Sequence, residues 1–197
     1  MQERLQESVA RPPKILLMDR DGTIGRKLPR GEYLAKWEDF EFLPETVQAM
    51  CELSAEGFEF IVITNQAGIA LGLVDEAEVN RIHENMLAEL GKLGISVLGV
   101  YVSPHHWKSG SVMRKPAPGM FHAAAADHCF QVAKVLYVGD DIRDCYAAAA
   151  AGCGMVLLAD DEEVHDLPPT PYHQSVHSSL MEALETIRSH YGQGVGA

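Results

Sequence analysis

Apolar residues in this chain fall into short continuous runs separated by stretches of helical period. Lys14–Met18 carries Ile15-Leu16-Leu17-Met18 without the alternation of a half-solvated strand, so it predicts a strand buried on both faces. Comparable runs occupy Phe58–Thr64, Ile95–Val102, Val135–Val138 and Met155–Leu158. Between them lie Pro44–Ala55, with Val47, Met50, Cys51 and Leu53 on one side, and Glu76–Leu93, with Ile82, Met86 and Leu90 at helical spacing. Further helices open at Pro118-Gly119-Met120, carry Ala147–Ala151 up to Gly152, and span Ser178–His190. Strands alternating with helices predict an α/β fold, a doubly wound parallel sheet of about five strands.

The interruptions divide the chain further. Residues 1–13 read as a loose arm ending in Pro12-Pro13, and residues 14–197 as a single domain with a core of its own. Residues 24–41 are polar and broken by Gly25, Pro29 and Gly31, which predicts a short flap over the end of the first strand. Tyr33, Trp37 and Phe40 are expected to pin that flap down. The third strand is followed only by the loop Ser103–Lys115, too short for a cap domain. Residues 160–173 read as a Pro-rich, acidic connector.

Charge narrows the partners. Lys plus Arg is 16 against 28 Asp plus Glu, a net charge of -12, which argues against nucleic acid or an anionic membrane. The polar start of the chain is no signal peptide, and no apolar run reaches membrane-spanning length. Cys51, Cys129, Cys145 and Cys153 form no CxxC pair and read as buried free thiols of a cytoplasmic protein.

The candidate chemistry sits at strand ends. The first strand runs into Asp19 and Asp21, with Gly22 permitting a tight turn after them. Two close carboxylates repel unless a cation lies between them, and such oxygen ligands suit magnesium. Thr64 and Asn65 end the second strand, Arg114 and Lys115 follow the third, and Asp140 and Asp141 follow the fourth. Singly, each has a simpler account: an Asp-Gly turn, a threonine bonding backbone, a solvated lysine, an N-cap. A parallel sheet brings all four to one edge, and together they predict an active site.

This constellation resembles the haloacid dehalogenase (HAD) superfamily of phosphohydrolases. The likeness is carried by Asp19-Arg20-Asp21-Gly22-Thr23-Ile24, Phe40-Glu41-Phe42-Leu43-Pro44, Thr64-Asn65-Gln66-Ala67-Gly68-Ile69, Arg114-Lys115-Pro116-Ala117-Pro118-Gly119-Met120 and Gly139-Asp140-Asp141. These stretches look like the subfamily containing heptose 1,7-bisphosphate 7-phosphatases and histidinol-phosphate phosphatases. The resemblance implies a HAD-like, Rossmann-like sheet with no cap domain. It also implies a magnesium-dependent phosphomonoester hydrolase. Asp19 would be the nucleophile and Asp21 the acid and base. Asp19, the backbone carbonyl of Asp21 and Asp140 would hold Mg2+. Thr64, Asn65 and Lys115 would bind the phosphoryl group, and Arg114 would contact substrate or pair with a surface acid. The implied partner is a small phosphorylated metabolite, with D-glycero-D-manno-heptose 1,7-bisphosphate first and histidinol phosphate next. Some relatives act on nucleic-acid ends, which the acidic charge counts against.

The chain departs from the subfamily in one loop. Most members carry Cys-x-His and then Cys-x-Cys there and bind a structural zinc. This chain has Ser103-Pro104-His105-His106 and then Ser111-Val112-Met113. A closed zinc site needs four thiolate or imidazole ligands, so no structural zinc is expected, and Trp107 is expected to order the loop by packing on the domain. Gly25 also stands where asparagine is usual, and Asp141 where lysine is frequent.

Overall fold

The computed structural model describes residues 14–159 and 166–192. The expected arm at residues 1–13 lies outside them, as do residues 160–165 of the connector.

The strands are β1 (Lys14–Met18), β2 (Phe58–Asn65), β3 (Val97–Ser103), β4 (Leu136–Gly139), β5 (Gly154–Leu158) and β6 (Gln174–His177). They form one sheet in the order β3-β2-β1-β4-β5-β6, with every neighbouring pair parallel. The helices are α1 (Pro44–Ala55), α2 (Glu76–Lys92), α3 (Gly119–Asp127), α4 (Ile142–Ala151) and α5 (Leu180–Gly192). The expectation of five strands is corrected to six. β6 has Val176 as its one aliphatic residue and is half-buried at the sheet edge, so it leaves no run to detect. β3 starts at Val97 rather than Ile95, and α5 at Leu180 rather than Ser178.

β1 behaves as its unbroken apolar run predicts. Leu16 and Met18 enter the core under α1, α2 and α5, while Ile15 and Leu17 enter the core under α3 and α4. Alternate residues thus serve opposite faces, and neither face meets solvent. Tyr191 of α5 ties the sheet together from below: its hydroxyl donates to the Ile15 carbonyl of β1 and accepts from the Leu136 N–H of β4 at 3.0 Å. β1 is flanked by β2 and β4, whose connections leave to opposite faces of the sheet. The crevice at the carboxyl ends of these central strands is where such a sheet binds ligands.

The flap over that crevice is fixed by its aromatic residues. Trp37 stacks on Phe40 at 5.2 Å, and Phe40 meets Phe42 edge-on at 4.9 Å, against the core. Gly25 is accounted for by the same cluster, because a Cβ there would lie 2.7 Å from the Phe40 ring. Tyr33 differs from Trp37 and Phe40: it packs beside Gly68 and lines the cleft. All four cysteines are free, but the expectation that all are buried holds only for Cys145 and Cys153: Cys51 is half-buried, and Cys129 is exposed in the turn after α3.

Candidate active site

The crevice is a cavity of about 890 Å³ that brings together Asp19, Asp21, Thr64, Asn65, Arg114, Lys115 and Asp140. Every predicted site residue is therefore present in it. The structure also shows what each side chain is doing.

Asp19 sits one residue past β1. Its Oδ1 accepts from the Arg20 backbone N–H at 2.8 Å and pairs with Lys115 Nζ at 3.0 Å. Both contacts fall on one oxygen, which leaves Oδ2 for chemistry. Burial pushes the Asp19 carboxyl up, Lys115 pulls it down, and Asp144, Asp21 and Asp140 push it up again, to about 7. Burial is the largest of these effects, and Lys115 does not offset it together with the three carboxylates.

Lys115 is buried. Its Nζ lies 2.8 Å from Asp144 Oδ1, donates to the Ile63 carbonyl at 3.0 Å, and lies 2.6 Å from the Tyr137 hydroxyl. Burial alone drives an ammonium toward neutrality, but Asp144 and Asp19 outweigh it and hold Lys115 above its ordinary range. Asn65 does not point its amide at open solvent. It clasps the Lys115 backbone, donating to the carbonyl at 3.0 Å and accepting from the N–H at 3.1 Å.

Asp21 is held by Arg20 and Gln66. Arg20 Nε and Nη2 donate to its two oxygens at 2.9 and 2.8 Å, and Gln66 Nε2 donates to Oδ2 at 2.9 Å. Burial raises the Asp21 carboxyl, yet the Arg20 charge and these hydrogen bonds prevail and hold it below the usual carboxylate range. Gln66 also donates to Thr64 Oγ1 at 2.9 Å, so the threonine hydroxyl proton stays free for another acceptor.

Asp140 follows β4 and packs on Gly22, where a Cβ would lie 2.0 Å from Asp140 Oδ2. Gly22, at φ 85°, is the residue that allows this approach. Lys27 of the flap donates to Asp140 Oδ2 at 2.6 Å and reaches Asp141 at 3.5 Å. A lysine ammonium thus stands beside Asp141 although position 141 itself is acidic. Asp140 Oδ1 is buried and has no hydrogen-bond partner.

A metal ion fits these groups. Oxygens of Asp19, Asp140 and Asp144 lie within 4.8 Å of one another, the one cluster of its kind among the described residues. Asp144 is already committed: Oδ1 to Lys115 and Tyr137, Oδ2 to the Asp141 N–H at 3.1 Å. The unpartnered Asp140 Oδ1 is the oxygen most available to a cation, with the Asp19 carboxylate beside it.

Arg114 donates to the His105 carbonyl at 3.0 Å and has no carboxylate partner among the described residues. Of its two expected roles, pairing with a surface acid is not seen. Trp107 corrects another expectation. It does not pack on the domain; it is 57% exposed, lies against His106 at 3.8 Å and lines the cavity mouth. The loop is ordered instead by short bonds, Gly119 N–H to the Val112 carbonyl at 2.9 Å among them.

Sequence reasoning missed Asp144, Gln66, Tyr137, Lys27 and Arg20 as parts of the site. Two of them carried a signal. Gln66 is two residues from Thr64, hence on the same face of the chain. Asp144 is four from Asp140 at a helix start, where its capping box with Asp141 accounted for it equally well.

The chain is similar to known proteins over most of its length. A family model described as polynucleotide kinase 3 phosphatase matches residues 14–152. A D-glycero-beta-D-manno-heptose-1,7-bisphosphate 7-phosphatase of Escherichia coli O6:H1 is 37% identical over 187 residues, covering 91% of this chain and 94% of that protein. The corresponding alpha-specific enzyme of Mycobacterium tuberculosis is 34% identical over 73% of this chain and 78% of its own length. The crystal structure of the D,D-heptose 1,7-bisphosphate phosphatase of B. bronchiseptica, with magnesium and phosphate bound, superposes with a TM-score of 0.80 at 30% identity, over 89% of this chain and 98% of the other. No helix among the described residues is long and apolar enough to cross a membrane.

Proposed function

The chain belongs to the polynucleotide kinase 3 phosphatase family, among the HAD phosphatases, and from that premise we propose that it removes the 7-phosphate of a D-glycero-D-manno-heptose 1,7-bisphosphate. The observation that carries the reaction is Asp19, a buried carboxylate with Oδ1 secured by Lys115 and Oδ2 unengaged at the floor of the cavity.

Asp19 Oδ2 attacks phosphorus while the bond from phosphorus to the sugar oxygen breaks, which leaves an aspartyl-phosphate. The departing alkoxide takes a proton from Asp21, which must enter this step protonated against the pull of Arg20 and Gln66 toward its ionised form. Asp21 then takes a proton from water, which attacks phosphorus, breaks the bond to Asp19 and frees inorganic phosphate. Lys115 and the Thr64 hydroxyl stabilise the phosphoryl oxygens as their charge shifts. Asn65 acts by holding Lys115 in place. Asp19, Asp140 and the backbone carbonyl of Asp21 would hold Mg2+. When bound, the ion offsets repulsion between the Asp19 carboxylate and the substrate's phosphate.

The substrate rests on two supports. The relatives named above are heptose bisphosphate phosphatases. The cavity mouth is cationic despite the acidic chain: Arg30 and Arg114 line it with no carboxylate partner among the described residues, suited to the second phosphate of a bisphosphate. Phosphate release from both anomers of the heptose bisphosphate, histidinol phosphate, nucleotides and a 3′-phosphorylated oligonucleotide tests the reading. The highest kcat/KM is expected on a heptose bisphosphate. An oligonucleotide or nucleotide that surpasses every sugar phosphate overturns the substrate and leaves the chemistry standing.

A further inference from the structure

Arg20 is 1% exposed and lies between the two catalytic aspartates in sequence. Its guanidinium grips both oxygens of Asp21, and its remaining terminal nitrogen, Nη1, lies 2.9 Å from Nε2 of His83. A guanidinium only donates, so Nε2 of His83 is the acceptor, the imidazole is neutral, and its proton is on Nδ1. His83 is 5% exposed and belongs to the buried stripe of α2, with Val79, Ile82, Met86 and Leu90. An aliphatic side chain there would pack without the cost of burying a polar ring. The histidine is instead spent on fixing one arginine.

On the reading of Asp21 as acid and base, we infer that His83 is a positioning residue for proton transfer, acting through Arg20 to fix the Asp21 carboxylate. Gln66 holds one Asp21 oxygen from the cleft side. Among the described residues only Arg20 holds both, and the His83 bond to its third nitrogen fixes where that planar fork sits. Without the His83 acceptor the guanidinium keeps an unpaired buried N–H and turns toward some other partner, taking Asp21 with it. Proton delivery suffers; phosphate binding at Lys115 and Thr64 does not.

Leaving groups separate this role from a structural one. A sugar alkoxide departs only if protonated, whereas nitrophenolate departs unaided. His83→Leu removes the acceptor, His83→Asn draws it back from the Nε2 position, and His83→Gln can restore it. Each variant is assayed with magnesium on the heptose bisphosphate and on p-nitrophenyl phosphate. Asp21 also activates water in the second step, which both substrates share, so the comparison is made on kcat/KM, which reads formation of the aspartyl-phosphate. For Leu and Asn, kcat/KM on the sugar phosphate is expected to fall on the order of tenfold, as for other residues that orient a reacting group from behind. On the aryl phosphate kcat/KM should fall far less, and Gln should recover most of the loss. Equal losses of kcat/KM on both substrates, no change, or Gln no better than Asn each overturn the inference. So does failure of all three to fold, since His83 would then be structural. A wild-type protein that hydrolyses neither substrate overturns the phosphatase reading itself, a separate outcome.

Discussion

Lys115 lies closer to Asp144 than to Asp19, at 2.8 against 3.0 Å, and Asp144 is as buried as the lysine. The ammonium is therefore anchored by a helix residue on one side and serves the nucleophile on the other. Asp144→Asn should weaken that anchor, let Lys115 move onto Asp19, and lower kcat on the order of tenfold. It should lower Tm by less than the roughly 3–5 kcal/mol that stranding a buried charge costs, because Asp19 still compensates the Lys115 ammonium. Thermal unfolding and steady-state kinetics on one preparation check both, and a variant with wild-type Tm and kcat would show that the pair is dispensable.

Asp19→Asn should abolish turnover without unfolding the protein, since the amide has the same shape but is a poor nucleophile. A second consequence distinguishes this site from an ordinary ion pair. Burial and three neighbouring carboxylates disfavour the charged form of Asp19 and push it up to about 7. The folded state thus binds this proton more tightly than the unfolded chain, and stability from it is lost as pH rises toward 7. At pH 8 the Asn variant should melt no lower than wild type. A large fall in Tm would mean that Asp19 is needed for the fold.

The β-sheet and the four strand-end clusters were legible because long apolar runs and carboxylates at their ends are local signals. Lys14–Met18 shows this most clearly: four adjacent apolar residues serve two cores, as a strand between two layers must. β6 was not legible, because four mixed residues on an edge carry neither run nor alternation. Lys27 was out of reach for another reason. Its partners are 113 and 114 positions away, and nothing near it in sequence distinguishes it from a solvated flap lysine. Trp107 failed in the opposite direction: a large aromatic in a loop suggests burial, but here the ring is mostly exposed and lies against His106.

Magnesium should raise Tm, because a ligand that binds only the folded state stabilises it by mass action. The buried, unpartnered Asp140 Oδ1 is the atom that most needs it. Asp140→Asn should abolish the magnesium-induced shift as well as activity, and chelator should remove activity from the wild type. A magnesium shift that survives in Asp140→Asn would place the ion elsewhere. Elemental analysis of the same protein should find zinc well below one equivalent, since the loop supplies His105 and His106 but no cysteine.

His83 provides an acid-sensitive element. Burial, then the charge of Arg20, lowers its proton affinity to about 3 from an ordinary 6.5, with Asp21 opposing weakly. Between those values the unfolded chain takes up a proton and the folded one does not. Stability from this group is complete above pH 6.5 and declines below it, by roughly 1.4 kcal/mol per pH unit at most. Urea unfolding at pH 7 and pH 5 should show a larger loss for wild type than for His83→Gln, whose amide does not titrate. Comparing the two chains also cancels the opposite drift from Asp19. Parallel losses would mean that His83 is protonated in the fold.

Tyr191 hydrogen-bonds to β1 and β4 at the end of the sheet opposite the catalytic carboxylates, and its neighbours Leu180, Leu184 and Ile187 fill the core behind them. The order of synthesis gives this a consequence. β1, which presents the nucleophile, is made before α5, and its core-facing Leu16 and Met18 must wait for α5 before that layer closes. A nascent chain halted before residue 180 has every catalytic residue and an open apolar flank. Such a fragment is expected to be captured by chaperones or proteases rather than to work.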